Sequence, residues 1–159
     1  MKTREALRRR GPAVGAGAGG RPVLLATLGV PFEPAASELA VDTAVETGQS
    51  LIVANVTLLE PLPLSVILGY DALEELTPDV SESVRGPAEL ARSLGVKVER
   101  LRIRSPRPVA ALLELVDERR PGLLVFGSDP KAMRPRAYRR AVERIREGAR
   151  CLVWMREPG

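Results

Sequence analysis

The chemistry this sequence offers is cationic. Lys131, Arg134, Arg136, Arg139, Arg140, Arg144, Arg146 and Arg150 stand against only Asp129, Glu143 and Glu147. Arginines gathered near a helix N-terminus can hold a phosphate by charge and by the fork geometry of the guanidinium. The same residues equally suit the solvated face of an amphipathic helix, partly paired as Arg139/Glu143 and Glu143/Arg146. Nucleophile–base chemistry is unavailable, because the chain has no His and one Cys, which removes every Cys–His pair, Ser–His pair and multi-ligand Cys/His zinc site. Cys151 falls in a strand-like apolar run and is expected to be a small buried hydrophobe. Carboxylates do no better. Glu74 and Glu75 are adjacent and point apart on a helix, and Asp71, Glu75 and Asp79 are spaced for a hard cation no better than any acidic surface. An enzyme is therefore not expected. Gly15, Gly17 and Gly20 spell G-x-G-x-x-G, but that pattern binds a dinucleotide only after a strand, and here it precedes one.

The elements that must position the arginines are legible. Leu123-Leu-Val-Phe126 is a buried strand, Gly127-Ser-Asp-Pro130 a turn, and Tyr138, Ala141, Val142 and Ile145 fall at i, i+3, i+4 and i+7 of a helix that Gly148 should stop. Cys151-Leu-Val-Trp154 is the last strand. Upstream, Pro22–Leu28 and Leu51–Thr57 are apolar strands on either side of a helix over 35–47, which implies a right-handed crossover between parallel neighbours. A helix carrying Val80, Val84, Ala88, Ala91 and Leu94 should kink or break at Gly86-Pro87. Val96–Ile103 alternates as an edge strand with one wet side, and Ser105 with Pro106 should open a helix bearing Val109, Leu112, Leu113 and Val116. Leu58–Pro78, broken by Pro61 and Pro63, reads as a loop folded onto the core.

At 159 residues and 45% hydrophobic, the chain suits one domain over 22–159. Residues 1–21, an Arg run followed by Gly/Ala repeats, lack bulky apolar groups and read as a disordered tail that carries +5, against −1 for residues 22–159. Within the body, residues 22–99 carry −9 and residues 100–159 carry +8. The tail could attach to polyanions without specificity and only at low salt. No run reaches the roughly 18 apolar residues of a membrane span.

Val125-Phe126-Gly127-Ser128 and Cys151-Leu-Val-Trp154, at their spacing, resemble the universal stress protein family over about residues 22–155. The resemblance implies a three-layer α/β/α sandwich around a five-stranded parallel sheet of order 3-2-1-4-5. It also implies a remnant nucleotide site at Gly29, Val56, Gly127 and Ser128. The family's G-x2-G-x9-G-[S/T] loop would place its other members at Pro130, Arg140 and Ala141, and Leu28 stands where an aspartate would face the adenosine. Pro130 has no N–H to offer a phosphate, and Leu28 accepts no hydrogen bond. The expectation is thus a cytoplasmic, non-catalytic stress-response protein that acts through protein contacts. It would pair as a homodimer through Cys151, Leu152, Val153, Trp154 and Met155, with no metal and no bound cofactor. The alternatives are an ATP- or AMP-binding member that uses arginines in place of the glycine loop, and a polyanion-binding accessory protein.

Overall fold

The computed structural model describes residues 20–59 and 78–157. The basic tail up to residue 19, most of the Leu58–Pro78 loop and the Asp71/Glu74/Glu75 carboxylates lie outside them. The chain runs β1 (Val23–Thr27), α1 (Pro34–Thr47), β2 (Leu51–Leu58), α2 (Pro78–Ser93), β3 (Val98–Ser105), α3 (Pro108–Arg119), β4 (Leu123–Phe126), a single 3₁₀ turn (Pro130–Ala132), α4 (Pro135–Gly148) and β5 (Leu152–Met155). All strands are parallel, in the order β3-β2-β1-β4-β5. The central β1 is buried along its whole length, as its uninterrupted apolar run requires when helices cover both faces.

Period-two alternation divides the sheet between two cores. Leu24, Ala26, Ile52, Ala54, Val56, Leu124 and Phe126 face α3 and α4, where Leu112, Leu115, Val116, Tyr138, Ala141, Val142 and Ile145 meet them. Val23, Leu25, Leu51, Val53 and Val125 face α1 and α2, against Ala36, Ala40, Val41, Ala44, Ala88 and Ala91. The first half of the chain thereby supplies the helices of one layer and the second half those of the other.

Several local expectations are corrected. α2 does not break at Pro87 but continues through it. An interior proline costs about 3 kcal/mol, and Ala88 and Ala91, fully buried just beyond it, supply packing that offsets the loss. β3 runs on to Ser105 because Thr57 and Leu58 go on pairing with Arg104 and Ser105, so α3 starts at Pro108 and Ser105 Oγ accepts the Arg107 N–H at 3.0 Å instead of capping a helix. Gly148 lies inside α4 and does not stop it in the left-handed region. A Cβ there would come 2.7 Å from Leu113 Cδ1, so the glycine serves the close approach of α3 to α4. Cys151 just precedes β5 and is half-buried, and β5 is an edge of the sheet.

Candidate functional site

The loops leaving the carboxyl ends of β1 and β4 meet where the strand order reverses, the place at which open parallel sheets form a ligand crevice. Their contacts are closed upon one another. Thr27, fully buried, donates its hydroxyl to Val30 O at 2.6 Å. The hydrogen between Thr27 Oγ1 and Ser128 Oγ, 3.1 Å apart, must then come from Ser128. Ser128 Oγ also accepts the Leu28 N–H at 2.9 Å. Its hydroxyl is thus committed to holding the first loop, and Leu28 packs its side chain against the α3/α4 core. Gly29, at φ 73°, gives its N–H to Asn55 Oδ1 at 3.0 Å.

The loop after β4 is zipped to the entry of α1. Gly127 N–H bonds Ala26 O, Glu33 N–H bonds Gly127 O, and Asp129 N–H bonds Pro31 O, at 2.8, 2.8 and 3.0 Å, around an antiparallel bridge of Phe32 with Ser128. Asp129 then caps the 3₁₀ turn, its Oδ1 accepting the Lys131 N–H at 2.9 Å and its carbonyl the Ala132 N–H at 3.0 Å. A phosphate-cradling loop works by aiming successive free N–H groups at the anion. Here the donors of Gly127, Asp129, Lys131 and Ala132 are spent inside the chain, and Pro130 has none. Gly127 is required for another reason. A Cβ would sit 2.8 Å from Phe32 Cδ1 and 2.9 Å from Leu25 Cδ1.

Glu33 occupies the N-terminus of α1. It is buried, its Oε2 accepts the Ala36 N–H at 3.2 Å, and its Oε1 accepts from the Arg156 guanidinium. The carboxylate thus fills the anion position that this helix end would offer. Tyr138, buried on α4, donates its hydroxyl to Arg156 O at 2.6 Å, and Arg146 pairs with Glu157 and not with Glu143. The segment after β5 is in this way laced across α4 to the first turn of α1. Burial, reinforced by the negative Glu33, raises the Tyr138 pKa above its ordinary value. Burial likewise raises the Cys151 thiol, which argues against a reactive thiolate.

Of the residues expected at a remnant site, Gly127 and Ser128 are brought to the Leu28–Gly29 turn, while the Val56 side chain is buried on the core face toward α3 and α4. Lys131, Arg134, Arg136, Arg139 and Arg140 are exposed at the start of α4, whose N-cap Arg134 makes no side-chain capping bond. Among the described residues no group of His, Cys, Asp and Glu could hold a metal. Sequence reasoning missed Glu33, Asn55 and Arg156. A glutamate just before a proline at the first position of a helix, and an asparagine within the apolar run Leu51–Thr57, were the available signals.

A five-stranded parallel sheet, covered by two helices on each face and closed at its reversal point by hydrogen bonds between the β1 and β4 loops, defines a doubly wound α/β sandwich. Residues 20–155 match the model of the universal stress protein family, and the chain belongs to that family. Among solved structures, a universal stress protein in complex with cAMP is 21% identical, with a TM-score of 0.57 over 88% of this chain and 98% of that one. A universal stress protein family member from Burkholderia pseudomallei is 19% identical, at 0.57 over 90% and 99%. The universal stress protein from Archaeoglobus fulgidus in complex with dAMP is 14% identical, at 0.57 over 84% and 94%. At such identities the likeness speaks for the fold. No curated protein sequence matches the chain. Among the described residues no helix is long and apolar enough to cross a membrane.

Proposed function

We propose that this chain is a non-catalytic, cytoplasmic stress-response protein that acts through protein contacts as a homodimer and does without the nucleotide held by some of its relatives. The observation that carries the proposal is the state of the loop after β4. Its donors are satisfied by Ala26, Pro31 and Asp129, and its one retained glycine is filled by the Phe32 ring. Opening that loop for a phosphate would break bonds each worth about 1 kcal/mol. The chain has no His, which leaves no Cys–His or Ser–His pair for nucleophilic catalysis. For the dimer, support comes from β5, a sheet edge on which Leu152 is 75% exposed beside half-buried Val153, Trp154 and Met155.

A second reading is favoured by the relatives solved with cAMP and dAMP and by the uncapped, arginine-rich start of α4. In it a nucleotide is held by guanidinium groups in place of the glycine loop. Thermal melting with ATP or AMP and magnesium separates the two. The expected outcome is no shift up to about a millimolar, whereas ligand at a hundred times its Kd would stabilise by about 2.7 kcal/mol. A clear concentration-dependent rise would establish the second reading.

A further inference from the structure

β3 carries a second feature, on the α1/α2 face of the sheet. In the parallel register Arg100 stands beside Val53 and Arg102 beside Asn55, so both arginines project on the α1/α2 face of the sheet, opposite to α4. Successive same-face positions on a strand lie about 6.6 Å apart. With Arg85 on α2 they converge on a cavity of about 310 Å³ lined by Asn55, Val84, Arg85, Arg100, Leu101 and Arg102. None of the three arginines forms an ion pair with a described residue.

The cavity also has one buried polar residue in its lining. Asn55 is only 5% exposed. Its Oδ1 accepts the Gly29 N–H, which fixes the amide with Nδ2 turned the other way, and no described residue accepts from that nitrogen. The Asn55 amide and three guanidinium groups without an ion pair among the described residues thus line one cavity, a set of donors that suits an anion.

We propose that this cavity binds a small phosphorylated molecule, its phosphate held by Arg85, Arg100 and Arg102 and by the Asn55 amide. Together these side chains present more donors than the two oxygens of a carboxylate can accept. A phosphate offers three strong acceptor oxygens and nearly two charges. The size suits a compact ligand, since small-molecule sites begin at about 300 Å³. Among the lining residues there is no aromatic ring on which a base could stack, which points to a phosphate ester or diphosphate without a nucleobase. The site lies on the α1/α2 side of β2 and β3 and meets the crevice loop through the Asn55–Gly29 bond, so a protein that leaves the crevice between β1 and β4 empty still has a place for a phosphorylated metabolite.

Calorimetric titration of the full chain with inorganic pyrophosphate at constant chloride tests the proposal. Wild type should show one saturable site. Arg102→Gln and Asn55→Asp should each weaken it by about tenfold or more, the loss expected for a charge-assisted or buried hydrogen bond. Asn55→Asp keeps the acceptor for Gly29 while replacing the donor by a negative oxygen. Arg102 is exposed, so its variant keeps the proposal testable should Asn55→Asp fail to fold. Arg104→Gln removes the same charge from the same strand outside the cavity and should leave the affinity within about twofold. The proposal is overturned by the absence of binding in wild type, by unchanged affinity in Arg102→Gln, by unchanged affinity in a folded Asn55→Asp, or by an equal loss in Arg104→Gln. It is also overturned if a short single-stranded oligonucleotide binds more tightly than pyrophosphate and requires Arg104.

Discussion

β3 and β5 are the two edges of one sheet, and their free sides follow opposite rules. β3 is eight residues long and sets Glu99, Arg100, Arg102 and Arg104 at exposed positions. β5 is four residues long, has no charge, and leaves Leu152 75% exposed. Charge on an edge discourages another strand from adding to it, while an apolar edge invites one. Their anchors differ as well. β3 is tied to α3 by the forked pair of Arg119 with Glu99 at 2.6 and 2.9 Å, whereas β5 is tied by the chain that follows it, through Arg156 to Glu33 and Tyr138. One edge is insulated and pinned by its own side chain; the other is open and pinned by its successor.

The sharpest way to break this comparison is to make the open edge resemble the insulated one. Leu152→Glu should weaken self-association by about a hundredfold, or about 2.8 kcal/mol, as read by sedimentation equilibrium. Trp154 is a poorer target, because it packs against the α1/α2 core and a charge there would also cost folding stability. A wild-type chain that stays monomeric, or a Leu152→Glu variant as dimeric as wild type, removes β5 as an interface.

A smaller effect is expected at the other anchor. Arg119 is 8% exposed in its side chain, against 44% for Glu99. Glu99→Gln leaves a nearly buried guanidinium without its counter-charge and should cost about 1–3 kcal/mol in urea unfolding. Replacing both residues by leucine should cost less than Glu99→Gln alone, because the stranded charge and the Arg119 Nε that lacks an acceptor leave together. A double variant less stable than Glu99→Gln would show that the pair itself contributes net stability.

The smallest effect concerns the anchor of β5. Tyr138→Phe should lose about 1 kcal/mol with its bond to Arg156 O. Because folding raises the Tyr138 pKa above the unfolded value of about 10, the stability linked to it is complete below that pH and is lost as pH rises through the folded value. The melting temperature of wild type should therefore fall more steeply with alkali than that of Tyr138→Phe. Parallel alkaline limbs would show that the hydroxyl does not report on this tie.

Most of this architecture was legible because apolar periodicity is local. Tyr138, Ala141, Val142 and Ile145 are all buried on one face of α4, as their spacing requires, and the order of the strands followed from the family resemblance. Boundaries were lost where two local signals competed. Ser105-Pro106 and Arg107-Pro108 both resemble a helix start, and only the pairing of Ser105 with Leu58 decides between them. Gly148 was misassigned because its neighbour Leu113 belongs to another helix. In the crevice, Leu28 and Pro130 are legible as residue types, one without a side-chain acceptor and one without an N–H. The tie of Glu33 to Arg156, 123 positions away, is not legible, since no local pattern records which distant cation meets a carboxylate.

The central position of β1 also governs when the domain can assemble. One side of β1 pairs with β2 as soon as both have been synthesised, but its other side waits for Leu123–Phe126, and Leu28 is held by Ser128 a full hundred positions later. Contacts of such separation must meet the entropy of closing a long loop before they return any stability, which slows folding. A ribosome adds about 5–20 residues per second. The half-domain built from β1 to β3 must therefore persist for about one to four seconds with one flank of its innermost strand unpaired, and that apolar flank is open to misassociation meanwhile.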